Sequence, residues 1–405
     1  MKAKKLLRWV GIALFAILAV LFVGFLVIQI RGIPKYPIER VELKVEVTPE
    51  RVLRGKKWAT MLCAECHQDA VTMQLTGKLL ADSPPEFGPI YSQNITKHEE
   101  KGIGKWTDGE LAFFLRTGIK RDGQYVPPWM PKLAHLSEED LLSIIAFLRS
   151  DDPLVAPADV DDKRSEPSFL TKFLCTVAFK PLPYPKQKIE TPSTGDKLAY
   201  GKYLANSLEC YACHSKDFKT LKEPPEASEG YLGGGTMMLD WGGKKIYTPN
   251  ITMDEASGIG KWTDAQFRRA VRDGFRPDDS LLLFPMPKYV ELTDDELNSM
   301  YAYFKTAPKL SNQRPRAEYE APSGLKGGQA VYYKYRCDSC HGDTGLGVCD
   351  LRQAGKKFPN TELMSAFIKK PTTVVPGSHM PAWDGVIKEE EYGPLTEYLK
   401  SLGAK

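Results

Sequence analysis

The chain opens on an uninterrupted apolar run. Over residues 9–30 it carries no charged side chain and one strongly polar one, Gln29. Wound as a helix, the run reaches about 33 Å, enough to cross a bilayer core. Lys2, Lys4, Lys5 and Arg8 precede it. The positive-inside rule therefore holds the N-terminus on the cytoplasmic side and places everything after Arg31 outside. The run is longer than the core of a usual signal peptide, and no small-x-small site closes it before Arg31. Residues 1–31 are predicted to be a retained single-pass anchor rather than a cleaved signal.

Beyond Arg31 the hydrophobic pattern takes the period of amphipathic helices. Thr107-x-x-Glu110, Thr263-x-x-Gln266 and Thr293-x-x-Glu296 are capping boxes, each ahead of an apolar-periodic segment, and Ser137 opens another. Residues 141–148, 297–304 and 395–402 are predicted to be three comparable closing helices, each with an aromatic residue (Phe147, Tyr303, Tyr398). Gly55, Gly201 and Gly328 sit where a helix opening each unit would cross the closing one closely.

Two of these units are copies. Tyr91, Asn94-Ile95-Thr96, Gly102 to Asp108 and Met130-Pro131 return 156 residues later as Tyr247, Asn250-Ile251-Thr252, Gly258 to Asp264 and Met286-Pro287. The glycine-rich stretch at 230–243 holds the extra residues of the second copy, so a duplication with a loop insertion accounts for both. The predicted organisation is an anchor (1–31), a first domain (49–150), a proline-rich connector (151–194), a second domain (195–306) and a third (320–405). The connector carries an apolar stretch over 169–184, which predicts packing onto a domain or a partner subunit.

Six of the eight cysteines fall in three pentapeptides of one form, Cys-x-x-Cys-His. These are Cys63/Cys66/His67, Cys210/Cys213/His214 and Cys337/Cys340/His341. Two thiols about one helical turn apart reach the two vinyl groups of one porphyrin, and the adjoining histidine becomes the proximal iron ligand. Zinc would need a second Cys/His pair at each site, and none is suitably placed. The cofactor expectation is three covalently bound haem c groups, one per domain. The fold class is then all-α, three tandem class I cytochrome c domains behind one N-terminal transmembrane helix.

Each domain has one Met-Pro downstream of its histidine: Met130-Pro131, Met286-Pro287 and Met380-Pro381. A thioether is a soft neutral ligand, and proline stiffens the loop that presents it. Met130, Met286 and Met380 are the expected sixth ligands, against a bland reading as core filler. His98 and His135 lack counterparts in the second copy and read as surface histidines. His379 is a rival to Met380, and Met237 and Met238 read as cover for a haem edge. Trp106, Trp262, Asn94, Asn250, Tyr91 and Tyr247 are open between propionate contacts and packing. Gly102-x-Gly104-Lys105 lacks the spacing of a phosphate loop. Cys175 and Cys349 either pair or stay as separate buried thiols. The net charge of +4, with no basic run interleaved with aromatics, argues against nucleic acid.

The block Tyr-x-x-Asn-Ile-Thr … Gly-Ile-Gly-x-Trp-Thr-Asp … Met-Pro resembles the cytochrome c subunits of membrane-bound alcohol and gluconate dehydrogenases. That resemblance implies the axial pairs His67/Met130, His214/Met286 and His341/Met380. It implies a periplasmic triple-haem relay on the bacterial inner membrane, with a dehydrogenase or respiratory complex as partner and quinone or a soluble cytochrome as further possible partners. On that reading the chain transfers electrons and has no catalytic residue of its own. The alternatives are a peroxidase-type haem enzyme, which needs an iron with a displaceable distal side, and the cytochrome subunit of a terminal oxidase. The retained N-terminal helix and the apolar connector depart from that family's pattern.

Overall fold

The computed structural model describes residues 2–240, 243–312, 321–347, 349–375, 378 and 380–404; His379 lies outside the described residues. The first helix, α1, covers Lys2–Arg31. Among the described residues it is the one helix long and apolar enough to cross a membrane, and none of its span is buried in the protein. The globular helices follow as α2 (Pro49–Leu62), α3 (Asp108–Thr117), α4 (Glu138–Arg149), α5 (Phe169–Val177) and α6 (Lys197–Ser207). Then come α7 (Asp264–Arg268), α8 (Asp294–Phe304), α9 (Gly327–Lys334), α10 (Thr361–Lys369) and α11 (Tyr392–Ser401).

The cap signals act as local chemistry dictates. Thr107, Thr263 and Thr293 each accept from the backbone N–H three residues on, and the third-position Glu110, Gln266 and Glu296 return a bond to the cap. Ser137 caps α4 by accepting from Asp140 N. α3 stops at Gly118, in the left-handed region at φ 78°. Its copy differs: α7 widens into a π-helical turn over Arg269–Asp273 before stopping at Gly274.

Three helix pairs organise the chain: α2 with α4, α6 with α8, and α9 with α11. Each crossing is made at a glycine. A β-carbon on Gly55 would stand 1.8 Å from Ser143 O, one on Gly201 1.9 Å from Ser299 O, and one on Gly328 1.8 Å from Pro394 O. The first two pairs share one continuous apolar core, running through Trp58, Leu141, Phe147, Leu204, Met300 and Phe304. A second core around Tyr332, Trp383 and Leu395 also takes in Phe275 and Leu281 from the second copy. The Phe275 and Trp383 rings meet edge-on at 5.0 Å.

A two-stranded antiparallel hairpin, β1 (Met237–Leu239) with β2 (Lys245–Tyr247), departs from the all-α expectation. Its first strand lies in the glycine-rich stretch, and its second follows that stretch and ends on Tyr247, the counterpart of Tyr91. Met237 and Met238 are half-buried on β1.

The connector lies against the first helix pair. Val155 and Ala158 are buried, Glu166 N donates to Pro89 O, and Ser168 N donates to Phe87 O. Asn94 resolves as a tie for this strap: its Nδ2 donates to Ala158 O (3.1 Å) and Val160 O (3.3 Å), while its Oδ1 accepts from Thr96 N. Asn250 repeats the device with Leu310 O and Thr252 N. The apolar stretch forms α5, whose Thr171 and Cys175 face inward, and the Tyr184 ring stacks on Phe113 at 5.8 Å.

Candidate haem sites

Each pentapeptide is wound into a single turn. His67 N donates to Cys63 O, His214 N to Cys210 O and His341 N to Cys337 O, at 2.8, 2.9 and 2.9 Å. That turn sets the two thiols of each motif on one face, the arrangement a porphyrin's two vinyl groups require. In the second and third motifs the preceding residue, Glu209 or Arg336, takes a left-handed conformation (φ 54° and 58°) and turns the chain from the opening helix into the motif. In the first, α2 runs up to Leu62, immediately before Cys63.

His67 and His214 are buried and His341 is half-buried. Desolvation pushes His67 and His341 down to about 4 and lowers His214 as well, so all three rings are neutral at neutral pH. Nδ1 of His67 meets Gln93 O at 2.7 Å, and Nδ1 of His214 meets Pro249 O at 2.9 Å. With Nδ1 engaged, Nε2 is the nitrogen left to bind a metal. The third site differs, because Nδ1 of His341 faces Cys349 Sγ at 3.5 Å. Cys349 and Cys175 are both free thiols, one beside His341 and the other buried in α5.

Burial raises the motif thiols Cys63, Cys66, Cys210, Cys213 and Cys337 to about 12. An apolar setting of this kind accommodates an uncharged thioether and disfavours a zinc thiolate. Among the described residues no three His, Cys, Asp or Glu side chains gather as an ion site. At the third motif the fit is visible directly: Cys337, His341 and Met380 line one apolar cavity, with Phe358, Trp383 and Leu395. Met130 and Met286 pack against the core shared by the first two pairs.

The residue after each of those two Met-Pro pairs is a lysine, and the copies use it differently. Lys132 Nζ donates to Val126 O, Pro127 O and Met130 O at 2.7, 2.8 and 2.8 Å, tying the Met130 loop into a knot. Burial pulls that ammonium down to about 7. Arg116, 2% exposed, supports the same loop by donating to Leu133 O and Leu136 O. Lys288 instead reaches out of its own unit and stands 3.3 Å from Cys340 Sγ. The repeated Met-Pro-Lys is the signal in the sequence that could have found both lysines, which a reading of Met-Pro alone passes over.

The segments bearing the three motifs come together. Asp350 N, in the loop after His341, donates to Ala70 O, just beyond His67 (3.0 Å). Lys288, two residues beyond Met286, reaches Cys340 Sγ of the third motif. After burial, the Asp82 charge helps to raise the Cys66 thiol and, behind Glu209, the Cys213 thiol, so it is felt at both the first and second motifs. His135 is not a surface histidine. Its Nε2 lies 3.3 Å from Tyr211 OH, inside the second motif, and 3.2 Å from Glu223, so it belongs to the contact between the two copies. His98 is half-buried to about the same degree as His135, and its Nδ1 accepts from Lys101 N. Trp106 packs on Phe114, and Tyr91 lies under Lys163.

A helical fold with neutral histidines at the ends of Cys-x-x-Cys-His turns is the arrangement by which c-type cytochromes hold haem c covalently. Residues 324–399 match the family model described as cytochrome c oxidase, cbb3-type, subunit III. Over a longer span the chain is similar to the alcohol dehydrogenase (quinone) cytochrome c subunit of Gluconacetobacter polyoxogenes. The two are 27% identical over 368 residues, covering 85% of this chain and 75% of that protein. It is similar too to the gluconate 2-dehydrogenase cytochrome c subunit of Pantoea cypripedii, 27% identical over 312 residues (71% of this chain, 68% of that one). The fructose dehydrogenase cytochrome subunit of Gluconobacter japonicus is 27% identical over 326 residues (71% and 63%). The resemblance carried by the repeated block thus extends along most of the chain.

Proposed function

We propose that the chain is a membrane-anchored electron relay with three haem c groups, serving as the cytochrome subunit of a periplasmic dehydrogenase that feeds the respiratory chain. The observation that carries this reading is the meeting of the three motif-bearing segments, since electron transfer between centres needs them close. The length of the similarity favours a dehydrogenase subunit, because the oxidase-type match is confined to residues 324–399. The three units at 49–150, 195–306 and 320–405 are read as tandem cytochrome c domains. The anchor is read as single-pass in the inner membrane, with the N-terminus cytoplasmic and the domains periplasmic.

When bound, haem c supplies a reversible one-electron couple at its iron. The chain's part is to hold and to exclude. Cys63 and Cys66, Cys210 and Cys213, and Cys337 and Cys340 fix each ring covalently. His67, His214 and His341 supply the proximal nitrogen, with Met130, Met286 and Met380 as the opposite ligands. The carbonyls of Gln93 and Pro249 orient two of the imidazoles and raise their basicity. Buried apolar walls keep water away, which lowers reorganisation. A sixth ligand on every iron leaves no open side for peroxide chemistry.

Met286→Ala is expected to open one iron per chain to carbon monoxide and to shift that centre's potential, while His214→Ala loses its haem or fails to fold. Optical titration of the Met286 variant tests this, and a spectrum and titration identical to wild type would remove Met286 as a ligand. Lys288→Met is expected to lower the potential of the third centre, because a cation 3.3 Å from Cys340 Sγ favours the reduced, less positive state. The effect is on the order of 1 kcal/mol, and Lys288→Arg should restore it. Three unchanged midpoint potentials in the Met variant would refute the coupling.

A further inference from the structure

The helix α5 has two faces of different character. Its inner face is fixed on the 85–87 turn of the first unit: Thr171 and Cys175 are fully buried, and Thr171 Oγ1 donates to Phe87 O at 2.9 Å. Its outer face carries Leu170, Phe173 and Val177, spaced i, i+3 and i+7 on one stripe, and these remain 41%, 39% and 56% exposed. Three large apolar groups in a row on a rigidly held helix form a surface that calls for an occupant.

The position of α5 says which occupant. Its Phe169 ring packs on Phe25 of α1 with centroids 4.6 Å apart, and Lys172 Nζ donates to Gln29 Oε1 at 3.0 Å. Phe25 lies six residues before Arg31, about 9 Å down the helix axis. If the apolar run of α1 is in the bilayer, Phe169 is beside its acyl region. Lys172 then sits one turn nearer Arg31, where headgroups begin. A lysine there lays its stem along apolar surface and keeps its ammonium in the polar layer. Lys180, just beyond the helix, extends the same basic edge.

We propose that α5 is a second membrane contact, a short interfacial foot whose Leu170, Phe173 and Val177 stripe enters the outer leaflet beside α1. The proposal rests on the reading of α1 as a membrane anchor. With two points of contact the first helix pair keeps one fixed height and orientation over the lipid surface, which a single flexible tether would not impose. The stripe is continuous with α1, which favours lipid over a protein partner as its occupant.

The test uses the full-length haem-loaded chain in nanodiscs of phosphatidylethanolamine and phosphatidylglycerol. p-Benzoylphenylalanine is placed singly at Phe173, at Leu18 within α1, and at Leu53, which is 73% exposed on α2. After irradiation, lipid adducts at positions 173 and 18 but not at 53 are the expected result. Adducts at 18 without any at 173 would overturn the foot and leave the anchor reading standing. Cross-links from 173 to protein would overturn it in favour of a subunit interface. Absence of lipid adducts at both 18 and 173 would overturn the anchor reading and the foot together.

Discussion

Asp140→Ala is expected to destabilise the protein by about 1–3 kcal/mol, the cost of leaving buried hydrogen-bond donors without their acceptor. Asp140 is 1% exposed at the start of α4. Its Oδ1 accepts from Arg54 Nε and from Trp58 Nε1, both at 2.5 Å, and its Oδ2 accepts from Ser137 Oγ at 2.9 Å and from Tyr203 OH. Arg54 and Trp58 belong to the opening helix of the first pair, and Tyr203 to that of the second. One carboxylate therefore fastens both helices of the first unit and the contact between the two copies. Removing it strands the Trp58 indole N–H and the Tyr203 hydroxyl where water cannot compensate, while the half-exposed Arg54 turns to solvent. Melting followed at a haem absorbance band measures the loss. A double-mutant cycle with Tyr203→Phe should return a coupling of about 0.5–3 kcal/mol. A drop below about 0.5 kcal/mol for Asp140→Ala, the range of ordinary surface changes, would contradict this role.

The second large effect is a reversal of sign. In an exposed helix interior, glycine to alanine stabilises by up to about 1 kcal/mol. Gly201→Ala is expected to destabilise by about 1–3 kcal/mol or more, because the new methyl meets Ser299 O at 1.9 Å and both partners of the clash are backbone. The helices α6 and α8 must then part, and the haem contacts that depend on their crossing loosen. Gly393→Ala in α11, where a β-carbon would find nothing within 4 Å, is the control and is expected to be neutral or stabilising. Calorimetry on both variants settles the matter: equal responses would show that Gly201 has no role in close approach.

Much of this was legible in the residues because it is local. A threonine with glutamate or glutamine three positions on caps a helix wherever it occurs, and three such boxes did so here. The crossing glycines could be read from their spacing before the three motifs, since only one residue type permits that approach. What resisted reading depends on which surfaces meet. His135 has no counterpart in the second copy and so seemed a surface residue, yet it lies against Tyr211 because the two copies pack core to core. Lys132 and Lys288 stand at equivalent positions but differ in partner, since the third motif's Cys340 lies within reach of Lys288 while Lys132 turns back onto its own loop. Asp140 resembled any acidic first-turn residue; only the approach of Tyr203 makes it a junction. The strap made by Asn94 and Asn250 depends likewise on chain that follows each copy at a distance.

The account stands on three saturated irons held by one chain. The most direct test counts haem per chain by the pyridine haemochrome method and records the reduced spectrum with and without carbon monoxide on the purified full-length protein. Three haems and no carbon monoxide binding is the predicted result. Fewer than three haems, or one that binds carbon monoxide in the wild-type chain, would contradict a relay of six-coordinate centres and turn attention to peroxidase-type turnover at the open site.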